Sequence, residues 1–367
     1  MRKTLFLYIA KELILYFVVS FLFFFLIFFV NQILLMAEDI LSKKAPIQDV
    51  LLLIIFSLPA IIATSAPFAA LVGTLMGLGR MVTDREILSM NALGIPIRFI
   101  LLPVLVIGFA ISLVSFFTND ILLPAGTIQF TKTYRKIITS TPALELESNS
   151  VKRNQNAVVI SGSIKNGKMD NILVIDTDSS GNRRVISSSD ASVNQSSDPS
   201  ILMTIGMNNA LVTSLDKKKR FNVDIIEADT ISYNILSKNI LPSYSNKVTP
   251  KEMSSRDLYS ELKIKKNEDN LRTYNLYRME FHKKFSIPFG AFFFVILAFP
   301  LGLIARNNGQ SVGFILGLII AVLYWAMLIG GQTLSIRLGF DGFLMMWIPN
   351  IVIFVFGLIL MGKTLLK

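Results

Sequence analysis

Residues 13–36 read LILYFVVSFLFFFLIFFVNQILLM, an apolar run with no Asp, Glu, Lys, Arg or Pro. A helix rises ~1.5 Å per residue, so about 20 such residues cross a hydrocarbon core of ~30 Å. Arg2 and Lys3 ahead of the run imitate a signal peptide, but Lys11 and Glu12 interrupt it. The run is longer than the ~7–15 apolar residues of a signal sequence, and no small-residue cleavage site follows. It reads as an uncleaved membrane helix.

Five more stretches of spanning length lie near 50–79, 99–118, 285–305, 311–336 and 343–362. Three spans precede a polar middle and three follow it. With a cytoplasmic N-terminus, Arg2, Lys3, Lys11, Arg80, Arg85, Arg98, Arg306, Lys363 and Lys367 fall inside. Only Lys43, Lys44 and Arg337 flank the short outer loops, which satisfies the positive-inside rule. Both termini are then cytoplasmic, and residues 121–284 lie on the periplasmic side of an inner membrane. Gly73 and Gly77 in the second span, and Gly313 and Gly317 in the fifth, have the small-xxx-small spacing that lets helices approach closely.

Composition agrees. Of 367 residues 52% are hydrophobic, and 36 Lys+Arg stand against 25 Asp+Glu. A basic excess on such a chain belongs to cytoplasmic loops and lipid headgroups, not nucleic acid. No cysteine is present, so disulfides, thiolate metal sites and a cysteine nucleophile are excluded.

Between about 150 and 235 the pattern changes to short β-branched runs: Val158–Ile160, Ile172–Ile175, Val185–Ile186, Ile201–Ile205, Ala210–Val212 and Val223–Ile226. Asn166-Gly167, Ser180-Gly181-Asn182 and Asp198-Pro199 separate them with turn chemistry, which predicts an antiparallel β-domain of sandwich or jelly-roll class. Ser254 and Asp257, at capping-box spacing, open an amphipathic helix running toward Tyr277. The expected division is 1–120 for three spans, 121–270 for the β-domain and amphipathic helix, and 271–367 for three spans.

Catalytic chemistry finds little material. The single histidine, His282, sits among basic neighbours at a membrane boundary, so neither a multi-histidine metal site nor a Ser-His-Asp triad is expected. Gly357 to Thr364 matches the P-loop pattern, but it ends an apolar span, where no strand-loop-helix cradle can form. No bound cofactor is expected. The spans nearly lack Asp, Glu and His, which argues against a membrane-embedded enzyme.

The segment from Arg80 to Pro96 reads as a short cytoplasmic helix. Thr83 is the expected N-cap with Glu86 three residues on, and Gly94 and Pro96 are stop signals. Ile87, Met90 and Leu93 recur at helical spacing beside the charges of Asp84, Arg85 and Glu86, as in a helix that docks into a groove of a soluble partner.

Several segments in order resemble the LptF/LptG (YjgP/YjgQ) permease family: Asp84 to Leu88 through Ala92 to Ile95, Leu123-Pro124, Ser254 to Leu258, Glu280 to Pro288, Phe299 to Gly302, and Trp347 to Asn350. The resemblance covers essentially the whole chain. It implies six transmembrane helices (3+3) with an inserted, jelly-roll-like periplasmic all-β domain. By this likeness the chain is one permease subunit of an ABC exporter. It would pair with a second homologous permease on a cytoplasmic ABC ATPase dimer, extract lipopolysaccharide or a related glycolipid, and pass it to periplasmic bridge proteins. ATP would be used by the ATPase and not by this chain. The resemblance also implies ATPase coupling through Asp84, Arg85, Glu86, Leu88, Met90 and Leu93, and acyl-chain contacts at Phe21, Phe24, Phe25 and Phe28. Lys43, Lys44, Lys132, Arg135 and Lys136, expected near the periplasmic surface, are candidates for lipid phosphate contacts. The competing reading is a non-transport scaffold whose β-domain binds a periplasmic partner.

Overall fold

In a computed structural model, the described residues are 2–40, 46–140, 148–154, 157–165, 168–177, 182–194, 201–215, 223–236, 249–266, 270–304 and 309–365. The helices are α1 (Arg2–Ile40), α2 (Ile47–Thr83), α3 (Glu86–Ala92), α4 (Arg98–Phe117), α5 (Leu123–Ser140), α6 (Ser255–Lys265), α7 (Leu271–Ile304), α8 (Gly309–Leu338) and α9 (Gly342–Leu365). Six stretches are long and apolar enough to cross a membrane: Lys3–Met36, Ile47–Thr83, Arg98–Tyr134, Leu271–Ile304, Ser311–Leu338 and Gly342–Thr364. The chain is thus a helical membrane protein with a β-domain inserted between its third and fourth spans. It forms two compact units, one of residues 1–35, 54–129 and 250–367, the other of 36–53 and 130–249.

In the helical unit α7 is the central element. Its most apolar window is 61% buried, against 17% for α1. Phe294, Ala298 and Leu297 of α7 pack with Phe68, Leu71 and Leu75 of α2 and with Tyr324 and Leu328 of α8. The glycines set how closely helices approach. A Cβ on Gly73 would lie 2.7 Å from the Phe17 Cα of α1, and one on Gly313 of α8 would lie 3.0 Å from the Leu75 carbonyl oxygen of α2. One glycine of each pair thus meets backbone, while Gly77 and Gly317 meet side chains, Leu13 at 3.1 Å and Val72 at 2.8 Å, so all four sit at close helix contacts, as their spacing suggested.

The second unit holds seven strands: β1 (Ser150–Asn154), β2 (Ala157–Ser161), β3 (Ile164–Lys165), β4 (Lys168–Thr177), β5 (Arg183–Asn194), β6 (Ile201–Leu215) and β7 (Val223–Leu236). They form one antiparallel sheet in the order β1-β2-β4-β5-β6-β7, with β3 paired to β4. The all-β insertion is as expected. Among the described residues its pairing is sequential, without the crossed connections of a double-sheet jelly roll. One face carries the core of Met169, Ile172, Val174, Ile186, Ile205 and Met207.

Two expectations about elements are corrected. Ile201–Ile205 and Ala210–Val212 are parts of a single strand, β6. Asn208 and Asn209 between them look like a turn, and Asn209 does take φ +48, but β5 and β7 pair along both flanks. The left-handed residue becomes an irregularity inside a paired strand rather than a hairpin. The amphipathic helix does not continue to Tyr277. The Ser254 hydroxyl accepts from the Asp257 amide, as capping predicts, but α6 ends at Lys265 and Asn270 opens α7 by accepting from the Thr273 amide at 3.2 Å. The separators at 166–167, 180–181 and 198–199 lie outside the described residues.

Candidate functional site

One end of the helical unit is built from the start of α1, the end of α2, α3 and the last turn of α9. The N-cap reading of Thr83 is corrected: Thr83 is the last residue of α2, and its hydroxyl donates back to the Gly79 carbonyl at 2.9 Å. Arg85 makes the turn into α3 with φ +57 and offers no side-chain cap. The other end of α3 follows its sequence. Gly94 takes φ +75, its amide donates to the Asn91 carbonyl at 3.0 Å, and the Ile95 amide donates to the Met90 carbonyl at 3.0 Å. This pair of bonds satisfies carbonyls that a helix end otherwise leaves open.

A polar web ties the turn to the spans. Arg80 donates to Glu12 of α1 and, at 3.2 Å, to Asp84. The Tyr8 hydroxyl of α1 donates to Glu86 Oε1 at 2.9 Å, while Glu86 Oε2 is enclosed without a hydrogen-bond partner among the described residues. Ile87 is buried, and Met90 packs partly against the same cluster as Ile9, Leu78 and Ile100. Ile87 and Met90 therefore anchor α3 to its own bundle instead of facing outward. Asp84, Arg85, Leu88 and Leu93 are the exposed members of the predicted set, with Leu88 at 55% and Leu93 at 79%. A cleft of about 810 Å³ opens beside them, lined by Arg85, Leu88 and Asn91 on one side and by Leu303, Leu360 and Lys363 on the other.

A second cleft, about 400 Å³ and wholly apolar, lies among α1, α2 and α8. Its lining includes Phe24, Phe28, Phe68, Ala321 and Trp325. Of the four predicted phenylalanines, Phe24 and Phe28 line it. Phe21 and Phe25 pack against each other at 6.0 Å between ring centroids, on the neighbouring stripe of α1.

Of the predicted basic residues, the side chains of Lys132 and Lys136 are described, four positions apart on α5. Lys43 and Lys44 lie outside the described residues, as does the Arg135 side chain. Lys132 is exposed, and Lys136 pairs with Asp49 at 3.1 Å. Residues 357–364 are continuous helix within α9, so their backbone amides are committed to the helix and no phosphate cradle exists. His282 packs edge-on against Phe343, 4.8 Å between ring centroids.

Sequence reasoning missed a constellation at the opposite end. A π-helical turn, Thr118–Leu122, joins α4 to α5 just before Pro124. The Leu123 amide donates to Thr118, and the next donor along would be Pro124, which has none, so the Asn119 carbonyl lacks a backbone partner. Pro288 likewise deprives the Lys284 carbonyl four residues earlier. Each is answered by the other residue's side chain: Asn119 Nδ2 donates to the Lys284 carbonyl at 3.0 Å, and Lys284 Nζ donates to the Asn119 carbonyl at 2.9 Å. Asp120 accepts from the Ser255 amide at 2.6 Å and its hydroxyl at 2.9 Å, joining α6 to the same junction. The signal available in the sequence was the pair of prolines, each a few residues beyond a polar side chain in an apolar context.

The order of these elements and their motifs coincides with one family model, described as lipopolysaccharide export system permease LptF/LptG, which matches residues 7–363. The chain belongs to the LptF/LptG family. No curated protein matches it. Membership makes this LptF/LptG chain a transport permease by class, and the family's segments acquire positions. Leu123-Pro124 and Glu280 to Pro288 are the two sides of the Asn119–Lys284 clasp. In Trp347 to Asn350, Asn350 accepts from Tyr324 of α8 at 3.0 Å and donates to the Ser286 carbonyl of α7 at 2.7 Å.

Proposed function

We propose that this chain is a permease subunit of an exporter that extracts lipopolysaccharide or a related glycolipid from the inner membrane. It works beside a second homologous permease, on a cytoplasmic ABC ATPase dimer that alone binds ATP, and hands cargo to periplasmic bridge proteins. In this reading the α3 end is cytoplasmic and the β-domain periplasmic. The charge asymmetry supports that orientation, since Arg80, Arg85, Arg98 and Lys363 gather at the α3 end.

The observation that carries the proposal, beyond family membership, is the exposed Leu88–Leu93 edge of α3 beside an open cleft, fastened to α1 and α2 through Tyr8–Glu86 and Glu12–Arg80–Asp84. An ATPase element seated on that edge would move α1, one wall of the apolar cleft, together with α3. Glu86 then acts from behind the contact, holding α3 to α1, while Asp84, Arg85, Leu88 and Leu93 meet the partner. Phe24 and Phe28 are the acyl-chain contacts and Lys132 the available phosphate contact. Lys136 contributes less because Asp49 already neutralises it.

The test is co-purification from native membranes with wild-type chain, Leu93→Asp and Tyr8→Phe. The expected result is recovery of an ATP-hydrolysing subunit with wild type, its loss with Leu93→Asp, and retained association but reduced lipid-stimulated hydrolysis with Tyr8→Phe. Recovery of no ATPase with wild type would favour the scaffold reading.

A further inference from the structure

The π-helical turn, α5, the turn at Pro250–Glu252 ahead of α6, and α7 border an open pocket of about 200 Å³ lined by Asn119, Leu123, Thr127, Lys251, Glu280, Lys283 and Lys284. It shares no residue with the apolar cleft of α1, α2 and α8. Its charges are three lysines around one carboxylate. Lys284 and Glu280 are each 4% exposed. Among the described residues Glu280 makes one ion pair, with Lys283 at a loose 3.6 Å. A buried carboxylate so weakly partnered is costly unless a further donor reaches it.

Depth points to lipid. From Phe285 to Ile304 α7 is apolar apart from Ser286, and at ~1.5 Å per residue that length matches the ~30 Å hydrocarbon core. On α4 the apolar run likewise ends where Thr118 and Asn119 begin. Lys284 and Asn119 thus mark the hydrocarbon boundary, and the pocket lies at the level of lipid phosphates. It is smaller than the ~300–1,000 Å³ of ordinary ligand sites, so it suits a single small head and not a saccharide.

We propose that this pocket holds the phosphate–ammonium head of a glycerophospholipid bearing ethanolamine. Lys251, Lys283 and the two free protons of Lys284 meet the phosphate, and Glu280 accepts from the primary ammonium. A trimethylated choline head has no N–H to give Glu280, and a glycerol head brings no cation, so the carboxylate keeps only its loose Lys283 pair among the described residues. The bound lipid would brace the joint between α5 and α7 without being cargo, and the proposal is independent of the export reading.

The experiment is native mass spectrometry of the full chain in detergent, titrated with dihexanoyl lipids bearing phosphoethanolamine, phosphocholine or phosphoglycerol heads, and with inorganic phosphate. Wild type should retain the ethanolamine lipid about tenfold better than the other two, the worth of one charge-assisted hydrogen bond. Glu280→Gln should abolish that preference while leaving phosphoglycerol binding in place, and Lys251→Glu, at an exposed position, should weaken all three lipids. Equal retention of the heads by wild type, an undiminished preference in Glu280→Gln, or displacement by inorganic phosphate as effective as by lipid would each overturn the proposal. If Glu280→Gln does not elute as a folded species, Lys251→Glu decides, and unchanged ethanolamine-lipid retention in that variant refutes the site. No ATPase or lipopolysaccharide enters the readout, so its failure leaves the export reading untouched.

Discussion

Asn119→Ala should destabilise the helical unit because Pro288 is present, and less when Pro288 is removed. Proline gives no amide to the Lys284 carbonyl, and the Asn119 side chain replaces that donor at 3.0 Å. Both residues are buried, Asn119 at 7% and Lys284 at 4% exposure, so truncation leaves a carbonyl that water cannot easily reach. An unsatisfied buried acceptor costs about 1–3 kcal/mol, which sets the expected loss near ~2 kcal/mol. Pro288→Ala restores a backbone N–H to Lys284, so in that background the same truncation should cost under ~1 kcal/mol. Pro288→Ala also changes the helix bend, and the coupling across the double-mutant cycle is therefore the quantity to read. Both tryptophans, Trp325 and Trp347, lie in bundle helices, and their fluorescence during unfolding in mixed detergent micelles reports this unit alone. An equal cost for Asn119→Ala in the two backgrounds would refute the claim that the amide acts by satisfying the proline-orphaned carbonyl.

Gly73→Ala should lower stability in the same assay by about 1–3 kcal/mol, because its Cβ meets Phe17 backbone at 2.7 Å, while Gly362→Ala, with nothing within 4 Å, should be neutral or slightly stabilising. On α3, Ile87→Asp should cost roughly 3 kcal/mol or more because Ile87 is 6% exposed, whereas Leu93→Asp, at 79%, should leave thermal unfolding unchanged. In the β-domain, burial foremost, with the nearby Asp176 carboxylate adding to it, pushes the Tyr233 hydroxyl up to about 12 from 10.0. The folded form keeps its proton where the unfolded chain releases it, so the Tyr233 contribution is intact below pH 10 and declines between pH 10 and about 12. A phenolate absorbance titration of wild type minus Tyr233→Phe should show a transition near the upper end of that interval; a transition near 10 would refute it. Asp176 is 8% exposed and takes two bonds from Arg184, at 3.0 and 2.7 Å, so Arg184→Met should cost about 1–3 kcal/mol by leaving that carboxylate, among the described residues, with the Tyr233 hydroxyl alone, a loss visible by circular dichroism as earlier melting of β-structure.

The sequence by itself determined the six spans, the inserted all-β domain and the end of α3, because each depends on local physics. A run such as Leu13–Met36 is committed by its own length and polarity, and Gly94 ends α3 because its missing Cβ admits φ +75. Only the tertiary structure decided which apolar residues face a partner. Ile87, Met90 and Leu93 have the same spacing pattern, yet the first is buried by Ile9 and Met81 of other helices and the last is open, and one helix's periodicity holds no record of its neighbours. Thr83 shows the same limit: a capping sequence was overridden because α2 keeps extending until Arg85 turns the chain. The Asn119–Lys284 clasp lies furthest from the sequence. Its two residues are separated by 165 positions, and the need each fulfils was created by a proline beside the other. The prolines could be read in advance. Which side chains would answer them depended on α4 and α7 packing side by side at the depth where the apolar runs end.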